Sequence, residues 1–319
     1  MKRIHLTIAM DEIDTVRPLV DGTVRPDGID LTVLTVGDAT RHVRLFHHGE
    51  FDGAEHSIGS YLLARALGRE ELVAIPVFPR RMFPHRFFFV RADSGIQGPR
   101  DLKGRRLGIH SYENSLALVA RAMLQLDHGV APQDIRWVAL RRGLVGGPLP
   151  PDVSIEPASE GQTLPELLEA GAIDAMLYPE IIAPFRQGAP WVRRLFPDLR
   201  ATEEAFYKTH RVFPIMHVVV LRRDVVERHP WAAVNLRNAF EEAKRRAYAF
   251  YEQPYRSSLA WGGPLWEEER ALLGPDPWPH TVRDNARDLK ILMEWGVEQG
   301  IFPRAVPVAS LFVPSTVDL

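Results

Sequence analysis

The chain has 319 residues, 45% of them hydrophobic, a formal net charge of −2 and no cysteine. That length can bury one large core or, more in keeping with it, two domain cores, and the near-neutral charge leaves no footprint for nucleic acid or an anionic membrane surface. The missing cysteine excludes disulfides, thiolate metal sites and a cysteine nucleophile, and with no export signal in MKRIHLTIAM and no membrane-length apolar run the expectation is a soluble cytoplasmic protein, homo-oligomerisation left open.

Arg3–Ala9 alternates as a first strand, and Met10–Asp14 is the loop at its carboxyl end, where open α/β sheets bind ligands. Pro26, Asp27 and Gly28 supply turn chemistry before a strand at Ile29–Val36, and Ala39–His48 reads as helix. Phe51–Ala54 is a short strand. Ser57 then caps a helix running to about Leu67, with Gly68 just past its end; the cap hydroxyl and the first amides also suit an anion. Val73–Phe78 and Arg86–Arg91 read as the two strands of a hairpin, with Pro79–His85 projecting as its loop. That loop holds Arg80, Arg81 and His85. Two guanidinium forks and an imidazole suit a carboxylate ligand, whereas the plainer alternative is a solvated basic turn. A second such place, FPIMH at Phe213–His217, again closes on a histidine beside an apolar strand.

After the hairpin, PRDLKG leads to a strand at Arg106–His110 and then to an amphipathic helix ending at Gly129, with Leu116, Val119, Ala120, Met123 and Leu124 at helical spacing. Tyr112, Asn114 and Ser115 stand at its amino end, a second anion-capable helix start. Ile135–Leu140 is a strand, Arg141–Pro151 a Gly/Pro-rich loop, Leu164–Ala170 a helix, and Ile173–Leu177 a strand ending in Tyr178, Pro179 and Glu180. This alternation predicts an α/β protein of parallel units. Phe196–His210 is a helical link and Val212–Leu221 returns the chain to its first unit. Pro230–Gln253 and Asp284–Gln299 read as long helices separated by a Pro/Trp-rich stretch, Trp261–His280.

The blocks DGTVRPDGIDLTVL, FDGAEHSIGSYLLARALG, IPVFPRRMFPHRFFFVR, DLKGRRLGIHSYENS, GAIDAMLYPE, LFPD, FPIMHVVVLRRD and PWAAVNLRNAFEEAK resemble the 4,5-dihydroxyphthalate decarboxylase family and run in family order from about Asp21 to Lys244. The resemblance implies a two-domain α/β fold of the type II periplasmic-binding-protein-like kind, with two interdomain crossovers and a ligand cleft at the hinge. Residues 1–91 plus 213–319 would form the first domain, with the C-terminal helices, and 92–212 an inserted second domain. It further implies a carboxy-lyase that removes one carboxylate from a hydroxylated phthalate to give protocatechuate, with a small aromatic carboxylate as partner. After the Tyr112 position the family has a Thr-Ala pair, a Trp and then Arg-Gly; this chain has Ser115 and Leu116, Val119, then Arg121 and Ala122. Before the histidine of the basic loop the family has Arg where this chain has Pro84, while Arg81 and His85 are kept. These departures leave the identity of the acid open.

Aromatic decarboxylation needs a proton delivered to the ring carbon that bears the carboxylate, and a ring hydroxyl whose electrons make that carbon basic. His85 and His217 are the candidate acid and base, expected to face one another across the cleft, with Glu55 joining them if burial raises its pKa. Arg80 or Arg81 holds the remaining carboxylate, and Ser57, Tyr112, Asn114, Ser115 and Glu180 complete the expected binding set. No close-spaced metal signature joins Glu55, His56, His85 and His217, so no metal is expected. Without a P-loop, a GxGxxG or a GxSxG there is no support for a nucleotide cofactor or serine hydrolysis, and no cofactor is expected. The rival reading is a solute-binding protein that closes on a small carboxylate without chemistry; a third is another enzyme of the fold, similar to the synthases of the thiamine pyrimidine.

Overall fold

The computed structural model describes residues 3–253 and 255–319. The chain opens with β1 (Ile4–Met10), α1 (Arg17–Val20), β2 (Ile29–Thr35), α2 (Asp38–His48), β3 (Gly53–Ser57), α3 (Ile58–Ala66) and β4 (Leu72–Arg81). It continues through β5 (Phe88–Arg91), β6 (Arg106–Ile109), α4 (Ser115–His128), β7 (Arg136–Ala139), β8 (Ile155–Pro157), α5 (Leu164–Glu169), β9 (Ala175–Leu177), α6 (Ala183–Arg186), β10 (Val192–Arg194) and α7 (Leu199–His210). It closes with β11 (Ile215–Arg222), α8 (Arg223–Arg228), α9 (Ala232–Tyr251), α10 (Gly262–Leu273) and α11 (Val282–Glu298). Among the described residues the strands make two sheets, in the orders β2-β1-β3-β11-β4 and β10-β5-β9-β6-β7-β8. In the first, β11 runs antiparallel between β3 and β4; in the second, β5 runs antiparallel to both β9 and β10.

The expected hairpin does not form. Phe88–Arg91 pairs with β9 and β10 in the second sheet, so the outward crossing lies at 82–87, through a 3-10 turn at Pro84–Phe87, and not after Arg91. The expected loop at Pro79–His85 is also shorter, because β4 continues through Pro79 to Arg81. Proline is tolerated there for two reasons. β4 is an edge strand, and its register on β11 slips between the Val219–Ile75 and His217–Arg80 pairs, so Pro76 and Pro79 occupy a stretch that owes no regular ladder bond. The Pro/Trp-rich stretch contains a helix of its own, α10, and the three-residue strands β8 and β10 fall where no strand is expected from the sequence.

Of the first sheet's strands, β4 and β11 are apolar on both faces, as strands covered on both sides require, whereas the outer strand β2 is largely open to solvent. Val73, Ile75 and Val77 of β4 and Val219 and Leu221 of β11 face a cluster completed by Ala233, Leu236 and Phe240 of α9. Their alternates, Ala74, Phe78, Val218 and Val220, belong to a second cluster that runs through α3 and α4 into Leu107, Ile109 and Trp137 of the other sheet. The two sheets thus share one apolar interior. α11 spans the same junction, packing on α3 and α4. The outer edge of β4 is covered by the C-terminal segment, where Val313 N–H donates to Ala74 O at 2.9 Å.

The approach of α3 to α4 is set by Gly59. A Cβ there would lie 2.9 Å from Glu113 O and 3.0 Å from Ser115 N, too close for any side chain without backbone movement. Gly59→Ala is therefore expected to lower unfolding stability by about 1–3 kcal/mol, the usual scale of overpacking. Urea unfolding curves that coincide for the two proteins would contradict this close approach.

Candidate functional site

The carboxyl ends of β1, β3 and β4 and the start of β11 converge on one carboxylate. Glu55, wholly buried, lies on β3 beside β11, and its side chain gathers groups from four other segments. His217 Nδ1–H donates to Oε1 at 2.5 Å, the Asp11 amide donates to Oε2 at 3.0 Å, Arg41 Nη2 lies 3.3 Å from Oε2, and Arg80 Nε lies 3.5 Å from Oε1. Arg41 also donates from Nε to the Glu55 carbonyl at 3.0 Å and lies 3.3 Å from Asp11, while Arg80 bonds Asp11 through Nη2. Burial by itself raises the Glu55 pKa, but the His217 ring and the two guanidiniums outweigh it and hold the carboxyl well below the usual carboxylate range. Glu55 is therefore an ionised partner and not a general acid: the condition on which it would join the two histidines, a pKa raised by burial, is not met. An ionised acceptor on Nδ1 fixes the tautomer of His217 and leaves Nε2 for a ligand. The network is open on one side: the side chains of Asp11, Arg80 and His217 keep 27%, 21% and 10% of their surface exposed, against 0% for Arg41 and Glu55.

Behind His217 stand two more imidazoles. His42 of α2 stacks on His56 at 4.9 Å with 11° between the planes, and meets His217 edge-on at 5.3 Å. Burial is the main reason that both remain neutral: it carries His42 well below its ordinary value and His56 down to about 3, with the neighbouring His217, Arg41 and, for His42, Arg80 pushing the same way. They act as an uncharged wall behind the Glu55–His217 pair.

The helix starts expected to seat anions are joined to each other. Ser115 has one hydroxyl proton, which goes to Met216 O at 2.7 Å. Ser57 Oγ must therefore donate to Ser115 Oγ across 2.8 Å, and Gly59 N–H donates to the same oxygen at 3.0 Å. Ser57 also caps α3 by accepting from Ser60 N–H, and Asn114 caps α4 by accepting from Ala117 N–H at 2.8 Å. One turn along, Ser60 Oγ donates to Glu113 Oε1, which accepts from Val145 N–H at 2.8 Å as well and so draws the 141–151 loop against α3. The two helix starts thus form the seam between the sheets, beside His217.

The remaining expected residues fall in different places. Arg80 pairs with His217 in the ladder and joins the Glu55 network, whereas Arg81 turns to α11, where it donates to Asp288 at 3.0 Å and to Asn285, and it also donates to the Phe213 carbonyl just before β11 at 2.7 Å. Successive residues of a strand point to opposite faces, so only one of the two arginines can reach the site. His85 does not face His217. It is buried in an aromatic pocket, 5.0 Å from Phe196 and 5.5 Å from Phe206, and this burial lowers its pKa to about 4. Tyr112 is buried against Trp137 and Arg121, and Glu180 is exposed beyond the carboxyl end of β9. Arg41 and His42 were not expected at the site, and Asp11 was expected there only as part of the Met10–Asp14 loop. The pair Arg41–His42 lies on the first turn of α2 after a strand, a position that aims side chains over the sheet edge, and that is the local signal for them.

This is an α/β two-sheet protein of the periplasmic-binding-protein-like fold, with a histidine–carboxylate pair at the edge where such sheets meet. It resembles the alkanesulfonate-binding protein SsuA of Xanthomonas axonopodis pv. citri, with a TM-score of 0.56 over 98% of this chain and 99% of that one at 14% identity. A family model described as NMT1/THI5 like matches residues 25–144. A Comamonas testosteroni protein named 4,5-dihydroxyphthalate decarboxylase is 33% identical across 100% of this chain and 99% of its own length. A Pseudomonas putida protein of the same name is 35% identical over 65% of this chain and 83% of its own length. The chain belongs to the 4,5-dihydroxyphthalate decarboxylase family.

Two expectations follow from these placements. Arg81→Ala leaves the partly buried Asp288 without its guanidinium partner and should cost about 1.5–3 kcal/mol of stability, the scale of a hydrogen bond to a charged group, while affinity for phthalate stays unchanged; calorimetry showing weaker phthalate binding in a protein of undiminished stability would reverse that assignment. The buried neutral imidazoles set an acid limit. Their folded pKa values lie below the unfolded value of about 6.5, so the stability they lend is complete above that pH and is lost as pH falls toward about 3 for His56. Each contributes a slope of about 1.4 kcal/mol per pH unit in that window. Urea unfolding between pH 6 and about 4.5 should show a shallower pH dependence in His56→Gln than in wild type; equal slopes would mean that His56 takes up its proton in the folded state.

Proposed function

We propose that the protein is a decarboxylase of a hydroxylated aromatic dicarboxylic acid, 4,5-dihydroxyphthalate or a close relative, and that His217 is its general acid. The observation that carries this is the 2.5 Å hydrogen bond from His217 Nδ1 to the ionised Glu55, at the open edge of the network. The names of the two family relatives support the reaction class. In this reading the units built on the two sheets are the two domains of a hinge, and the acid lies between them.

In 4,5-dihydroxyphthalate each carboxylate has a hydroxyl para to it. As that hydroxyl gives up its proton to solvent water, its electrons enrich the carbon bearing the opposite carboxylate. His217, protonated and oriented by Glu55, delivers the Nε2 proton to that carbon. The bond to the carboxylate then breaks, its electron pair returns to the ring, and carbon dioxide leaves; the phenolic proton is restored and one proton is consumed overall. Glu55 balances the imidazolium charge without leaving its place, because the Asp11 amide, Arg41 and Arg80 already fix it. The neutral His42–His56 stack behind the ring adds no competing charge.

The test is release of carbon dioxide from 4,5-dihydroxyphthalate by the purified protein and by His217→Asn. Turnover by the wild type, reduced about 100-fold or more in the variant with phthalate affinity nearly kept, is the expected result. A wild-type protein that binds phthalate but releases no carbon dioxide from any hydroxylated phthalate would instead be a solute-binding protein for a small carboxylate.

A further inference from the structure

On the second sheet's side of the molecule, a cation is buried without a counter-charge among the described residues. Arg121, two turns into α4, is 1% exposed. Its Nε donates to Gln299 Oε1 at 2.7 Å, and Gln299 is held in turn by its own donation to Leu118 O. Among the described residues Nη1 and Nη2 have no hydrogen-bond partner, and neither has the hydroxyl of Tyr112, itself 2% exposed. The guanidinium stacks on the Tyr112 ring at 3.7 Å from its centre, with Trp137 at 5.7 Å. No carboxylate stands among the charges acting on Arg121, and burial draws its pKa down to about 10. The adjacent acid, Glu113, is already committed to Ser60 and the Val145 amide. Buried donors that are charged and unpaired are among the most unfavourable groups a protein can hold, and a fork of two N–H edges beside a phenol has the shape of a carboxylate seat.

The seat is tied to the Glu55–His217 pair through α4. Tyr112 follows the carboxyl end of β6, and Ser115, three residues on, bonds the carbonyl next to His217. Arg121 lies about 9 Å farther along the helix axis, and its side chain leans back toward the amino end, which is how it reaches Tyr112. We propose that Arg121 and Tyr112 hold the carboxylate that the substrate keeps, Nη1 and Nη2 as a fork on its two oxygens and the Tyr112 hydroxyl on one of them. This rests on the decarboxylase reading for the identity of the ligand and adds a second anchor to it: His217 acts from the first sheet on the group that leaves, and Arg121 from the second on the group that stays.

Phthalate, which has both carboxylates and no hydroxyl to drive the reaction, is the probe. Its affinity is measured by calorimetry for wild type, Arg121→Met, Arg121→Lys and Tyr112→Phe, with circular dichroism and thermal unfolding confirming the fold of each. Arg121→Met is expected to weaken binding about 30-fold or more, Arg121→Lys about tenfold because the charge remains without the fork, and Tyr112→Phe about threefold to tenfold. Tyr112→Phe removes one oxygen and keeps the ring, so it decides the matter if the Arg121 variants fail to fold. Unchanged phthalate affinity in Tyr112→Phe and in every Arg121 variant that folds overturns the seat and leaves Arg121 a structural cation; so does a wild type that does not bind phthalate. If affinity falls as expected but 4,5-dihydroxyphthalate releases no carbon dioxide, the seat stands and the decarboxylase reading fails. If carbon dioxide is released with a KM that these variants do not alter, the reading stands and the seat fails.

Discussion

A carboxylate with no exposed surface is the constraint around which this molecule is arranged. Taking Glu55 out of water costs several kcal/mol unless it is fully paired, and its partners come from the loop after β1, from α2, from β4 and from β11. Each of those segments is placed by its own apolar face, but their register at the sheet edge is fixed by what Glu55 must receive. The antiparallel insertion of β11 between β3 and β4 is what sets His217 opposite Ser57 on one side and Arg80 on the other. Strand pairing and the placement of the proposed acid thus come from the same ladder.

The join between the sheets is apolar in its interior and polar at its edge. A shared core runs through α3, α4 and α11, and near the sheet edge the contact becomes a short chain of hydroxyls and amides: Ser57, Gly59, Ser115 and the Met216 carbonyl. Hydrogen bonds of this kind exchange with water at small net cost, whereas the apolar interior does not. The hinge opening that the proposed reaction needs would part these polar contacts before the apolar interior, beside His217. The glycines of the region serve the same close approach: a Cβ on Gly143 would overlap the Glu113 carboxylate, and one on Gly147 would lie 2.9 Å from Leu63.

Most of the fold was legible from local pattern. Helix starts at Ser57 and Asn114, the glycine stop after His128, and the strands of the first sheet carry strong capping and periodic signals that the structure repeats. The errors came from non-local choices. Val73–Phe78 and Phe88–Arg91 are close in sequence and both apolar, which suggests a hairpin, yet they pair in different sheets, because no local feature records which partner a buried strand takes. Reading Pro79 as a strand end hid the parity that separates Arg80 from Arg81. His85 and His217 looked equivalent in sequence; the first is buried between the rings of Phe196 and Phe206 and the second is hydrogen-bonded to the Glu55 carboxylate, a difference that depends on residues more than a hundred positions away. Arg121 was visible only as a position of the family pattern, since a helical arginine reads as solvated until its burial is known.

The central claim is that an ionised Glu55 makes His217 an acid for carbon. Glu55→Gln keeps the size of the side chain and an acceptor for Nδ1–H but removes the charge that balances the imidazolium. The direct measurement is the rate of carbon dioxide release from 4,5-dihydroxyphthalate by this variant, with phthalate affinity measured alongside. A loss of about 100-fold in kcat with binding largely retained is the expected result. A Glu55→Gln enzyme that turns over at the wild-type rate would contradict it.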